Sequence, residues 1–141
     1  MDRLTRARHR VVTATDLPGI LDVAYDAFEG MLAVLRRHQE DNGSLFPAFV
    51  MAAAAAANGR DWIAGADSLP PAVPREPAGG LSDATTAVDV ARVVAALSSE
   101  LAARLTAFAA STGGAGDRQC CESAAAEAAS ISALLAGASS T

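Results

Sequence analysis

Two adjacent cysteines, Cys120 and Cys121, are the first residues in this chain to ask for a chemical explanation. A thiol pair can serve as a redox couple, a soft-metal site or a persulfide carrier. On a helix, adjacent side chains point about 100° apart, so the two sulfurs would diverge. A disulfide between them needs a distorted, non-helical peptide. No C-x-x-C and no second Cys/His cluster completes a metal site. Proximity to a helix N-terminus is expected to lower one thiol pKa. The plainer expectation is a small core residue at Cys121 and a boundary residue at Cys120, since free cysteine packs as a small hydrophobe.

The remaining chemistry is thin. The two histidines are His9 and His38. A di-iron bundle needs Glu-x-x-His on two of its helices, and Leu35 stands three residues before His38. His38 lies beside Arg36, Arg37 and Glu40, which suits a C-terminal helix turn better than a general base. No G-x-S-x-G, G-x-G-x-x-G or phosphate loop with lysine is present. The sequence therefore leans against an enzyme. It assigns no catalytic residue, no metal ligand and no cofactor.

Charge is the other distinctive feature. All 11 basic residues are arginine, and alanine occurs 35 times, the codon bias of a GC-rich genome such as an actinobacterium's. The net charge of -5 divides unevenly. Residues 1–14 carry Arg3, Arg6, Arg8 and Arg10 against Asp2, which is +3, and the rest of the chain is acidic. This stretch lacks clean helical periodicity and reads as a flexible or frayed basic arm. It is the best electrostatic feature, able to meet nucleic acid or the acidic surface of a partner. It has no aromatic for base stacking, and the acidic body opposes a polyanion, so nucleic acid is an unfavourable partner. Removing the arm is expected to cost no more than about 0.5 kcal/mol.

The elements that must position these residues are helices. Hydrophobic residues make up 51% of the chain and aromatics 4%, and half of the apolar content is alanine. That excludes disorder, a β-sandwich and a disulfide scaffold. The expected fold is all-α and four-helix bundle-like, two helical hairpins joined by a long Pro/Gly-rich linker. A basic arm over 1–14 precedes a single helical domain over 15–141.

The first helix is expected over 17–41, capped by Thr15 or Asp16, with Leu17, Ile20, Ala24, Phe28, Met31 and Leu35 on one stripe. The second, over 45–65, contains Asn58–Gly59; a long first helix needs a partner of similar length, which favours a continuous return. Phe46, Phe49 and Trp62 are expected mainly in the core, or else as anchors of an interface or pocket. The linker, 67–81, holds four of the six prolines, with a reach of about 45 Å. The third helix, over 83–110, has Ser82–Asp83 as its cap, a stripe from Val88 to Phe108, and Glu100 and Arg104 as an i,i+4 pair. The fourth, over 117–136, has Cys121, Ala124, Ala128, Ile131 and Leu135 as a heptad seam.

No secretion signal is apparent, because polar residues follow Val11–Val12. The longest apolar run, Leu45 to Ala57, is 13 residues against the ~20 of a membrane span. A cytoplasmic protein without membrane contact is expected. These features favour a non-enzymatic helical interaction or accessory protein, with a protein partner or self-association as a homodimer. The alternative is a small-ligand or thiol-based sensor using the bundle interior and Cys120/Cys121.

Overall fold

In a computed structural model the described residues are 3–39, 45–71 and 86–139. They are all helical or connecting, with no strand among them. Among the described residues there are five helices rather than four: α1 (Arg3–Thr13), α2 (Leu17–Gln39), α3 (Phe46–Ala64), α4 (Ala87–Ser111) and α5 (Ala115–Ser139).

Helices α2 and α3 form one hairpin, and α4 and α5 the other. Helix α3 also packs along α5 and α2 against α4, which closes the four into a ring. Helices α3 and α4 sit on a diagonal of the ring, with their backbones apart. The segment joining them, 72–85, lies outside the described residues, and most of the expected linker with it.

The fifth helix is the segment expected to be a loose arm. Helix α1 lies in the seam between α2 and α4 and buries Leu4, Ala7 and Val11. These three residues are spaced 3 and 4, a short but complete helical stripe. At Gly30 of α2 the approach is close: a Cβ there would lie 3.3 Å from Leu4 Cδ2.

Local chemistry explains the helix boundaries. The Asp16 carboxylate accepts the Gly19 N–H at 2.7 Å and caps α2. Helix α4 starts at Ala87 with Thr86 as its cap, the hydroxyl accepting the Asp89 N–H at 3.2 Å; Ser82 and Asp83, expected in that role, lie outside the described residues. Helix α3 passes unbroken through Asn58–Gly59. The glycine allows the α2–α3 approach: a Cβ at Gly59 would stand 2.4 Å from the Phe28 ring.

The core runs the length of the ring. Ile20, Phe28 and Leu35 from α2 meet Phe49 and Ile63 from α3, Leu97 and Leu101 from α4, and Ile131 and Leu135 from α5. The expected α5 seam is buried throughout. On α4 the stripe is shifted at its start: Val90 is buried and Val88 exposed. Among the described residues α4 alone is long and apolar enough to cross a membrane by length and composition. Its Val90, Val94, Leu97, Leu101 and Leu105 nevertheless face the core, while Asp89, Arg92, Glu100 and Arg104 occupy other faces.

Candidate functional site

The arm arginines meet acids of their own chain. Arg3 Nη2 lies 3.1 Å from Asp26 Oδ1, and Arg10 Nη2 lies 3.1 Å from Asp22 Oδ2. Asp22 and Asp26 are one turn apart on α2, so they form a single acidic ledge under α1. Arg8 Nη2 lies 2.7 Å from Glu100 Oε1 on α4. Arg6 and Arg8 are exposed, Arg3 and Arg10 half-buried. The expected Glu100–Arg104 pair does not form. Arg104 turns instead to the C-terminus of α1, where its Nε donates to the Val11 carbonyl at 3.2 Å and its Nη2 to that of Ala14. A guanidinium at these carbonyls satisfies orphaned acceptors and complements the helix dipole. The same guanidinium sits 5.3 Å from the Phe108 ring centroid. The positive charge of residues 1–14 is thus largely spent on holding α1 in place.

Both cysteines are buried and unbridged on α5. Burial pushes the Cys121 thiol up to about 11, with the Asp117, Cys120 and Glu122 charges adding to the effect. Cys120 is raised from 9.0 by burial, then by Asp117 and Asp67. The expected lowering by the helix N-terminus is therefore reversed, first by burial and then by the carboxylate that occupies that terminus. Asp117 is itself buried, accepting the Ser68 hydroxyl at 2.6 Å and the Ser68 N–H at 3.2 Å. This ties the segment after α3 to the start of α5. Protonated, buried thiols are poor nucleophiles. His38, at the end of α2, is partly buried and away from them. Among the described residues no group of three His, Cys, Asp or Glu side chains is placed to hold a metal.

The bundle surface is most unusual along α3. Among the described residues six large apolar side chains are exposed, and four of them, Phe46, Val50, Met51 and Trp62, belong to this helix. Only Phe49 of the three expected core aromatics is buried, whereas Phe46 is 46% exposed and Trp62 41%. The reason lies in the sequence of α3. Phe49, Ala52, Ala56 and Ile63 already fill the inner face, and Phe46, Val50, Met51 and Ala54 fall on the other side. A helix apolar all round buries one face in its own bundle and leaves the other for something else. Beside the far end of this face is an open groove lined by Asn58, Asp61, Trp62 and Glu127. A second open groove, between α4 and α5, is floored by Ala102, Ala125 and Ala129, with Glu122 at its edge.

Comparison with protein-family models, with curated proteins and with solved structures finds no match to this chain.

Proposed function

We propose that this protein works without catalysis, as a helical interaction protein that docks a protein partner on the outward face of α3. The observation that supports this reading is the exposed strip of Phe46, Val50, Met51 and Trp62 on one helix. Scattered apolar residues are normal on protein surfaces, but four large ones on the outward side of a single helix mark an interaction site. Aromatic residues and methionine are also the types enriched at the centres of interfaces, where charge is depleted. Helix α3 carries no charged residue between Phe46 and Gly59.

The arm is not the docking element in this reading, since Arg3, Arg8 and Arg10 already have partners within the chain. A thiol sensor is disfavoured by the protonated state of Cys121 at neutral pH. A cytoplasmic location remains part of the proposal and rests on the sequence reading alone.

Site-specific photo-crosslinking tests the docking face. A photoreactive residue at position 51 of the full chain is expected to give a discrete covalent adduct in cells. One at position 106 on α4, also exposed, is expected to give none. Equal yields at both positions, or no adduct at position 51, overturn the reading.

A further inference from the structure

We infer that the occupant of the α3 face is a second copy of this chain, paired through antiparallel α3 helices with Ala54 of each copy at the two-fold axis. This rests on the reading of α3 as a docking face and names its partner.

The argument is the charge distribution along that face. The end where α3 begins is flanked by the basic last turn of α2, which carries Arg36, Arg37 and His38. Arg36 is exposed. It stands seven residues, about two turns, beyond Glu29, whose Oε1 lies 3.5 Å from Arg60 Nη1 of α3. Arg36 therefore projects from the flank of α2 that borders α3. The opposite end of α3 carries Asp61 and, from α5, Glu127. Asp61 approaches Arg60 of its own helix at 3.3 Å, yet its side chain is still 69% exposed and open to a second cation. The face thus carries one exposed cation, Arg36, at one end, no charge in its middle, and one exposed carboxylate, Asp61, at the other.

A strip of this kind complements itself only when turned end for end. Parallel pairing would set like poles together, whereas antiparallel pairing sets the Arg36 end of one copy near the partner's Asp61. In the same register Phe46 lies level with the partner's Trp62 and Val50 with the partner's Asn58, each pair on opposite flanks of the seam. Ala54, small and exposed at the midpoint, meets its own equivalent and allows the backbones to approach closely. The arrangement is isologous and closes as a dimer. A 19-residue helix is about 28 Å long, and a strip of that length and about 10 Å width falls below the area of standard interfaces, so a weak, transient dimer is expected.

Sedimentation equilibrium of the purified full chain, followed in parallel by the emission of its single tryptophan, tests the proposal. The expected result is a species of twice the 14.2 kDa chain mass, with Trp62 emission shifting to the blue as the dimer forms. Arg36→Asp and Asp61→Arg should each weaken the dimer about a hundredfold, because the two-fold repeats the charge pair and each variant loses both copies, at about tenfold apiece. The double variant, which restores opposite charges in trans, should recover most of the loss. Recovery also excludes misfolding as the cause, and circular dichroism of each single variant checks the fold independently. A dimer indifferent to both charges, or a double variant no better than the singles, overturns the proposal. So does a chain that stays monomeric up to about millimolar concentration, where even weak contacts register. A monomer whose position 51 still crosslinks to another protein discards the second copy and leaves the docking face standing. A monomer with no adduct at position 51 discards both.

Discussion

Helices α1 and α3 occupy opposite corners of the composition and have exchanged the roles their compositions suggest. Helix α1, with four arginines in eleven residues, is held in a seam of the bundle. Helix α3, almost wholly apolar, exposes one side to solvent. The difference shows that charge content does not decide burial. What decides it is whether the rest of the chain offers a complementary surface. For α1 that surface is the Asp22–Asp26 ledge, Glu100, and the apolar seam that takes Leu4 and Val11. For the outward side of α3 nothing within the chain serves.

The strongest test of this contrast is removal of α1. The ion pairs are partly exposed and contribute little each, so the cost comes from the apolar stripe. Burial of Leu4 and Val11 contributes roughly 1.5–3 kcal/mol apiece. Deleting residues 1–13 is therefore expected to destabilise the chain by about 4 kcal/mol, well above the 0.5 kcal/mol of a solvated tail. Urea unfolding of the two forms measures this. A loss below about 1 kcal/mol would mean that α1 rests on the bundle without supporting it.

The two sides of α3 are compared by a single methyl group on the inner one. In Gly59→Ala the new Cβ would stand 2.4 Å from the Phe28 ring, which is itself fully buried. The ring cannot withdraw without disturbing the core, so a loss of about 1–3 kcal/mol is expected despite the better helix propensity of alanine. Unchanged or increased thermal stability would show that α2 and α3 are more loosely apposed than their geometry implies.

Beneath α3, where α5 packs on it, the alkaline limb of stability reports the same interior. The Cys121 thiol titrates near 11 in the fold and at 9.0 when free of it. Over this window the unfolded chain has released a proton that the folded chain retains, so stability falls as pH rises from 9 towards 11 and is flat below. The slope should be present in the wild type and reduced in Cys121→Ala, measured by denaturant midpoints across that range. Identical slopes would place the thiol in contact with solvent.

Much of the architecture is legible in the chain itself. The α2 stripe and the α5 seam can be followed residue by residue, because large and small apolar side chains recur at three and four against a polar background. Helix α1 is harder to see, since its stripe includes Ala7 and only two large apolar groups. A second signal was available: Asp22 and Asp26, one turn apart, mirror the basic run of residues 3–10. The exposure of Phe46 and Trp62 was not legible. In α3 apolar residues point in every direction, so periodicity cannot say which side the bundle takes. Nor does sequence show that Glu100 and Arg104, spaced as a pair, each answer to α1 instead.

The smallest expected effect is on the outer side of α3, and its smallness is the point. Met51 is 57% exposed, so Met51→Asp removes no core contact. The remaining cost is the difference in helix propensity, a few tenths of a kcal/mol. Stability of the monomer should therefore change by no more than about 0.5 kcal/mol, in contrast with the 2–5 kcal/mol of a truncated core leucine such as Leu4→Ala. The measurement belongs at low protein concentration, because any self-association would add its own concentration-dependent stabilisation to the wild type. A gap between wild type and variant that widens with concentration is the thermodynamic signature of a face covered by association. A loss of 2 kcal/mol or more that is independent of concentration would mean that the chain covers this face itself, and the contrast between α1 and α3 would collapse.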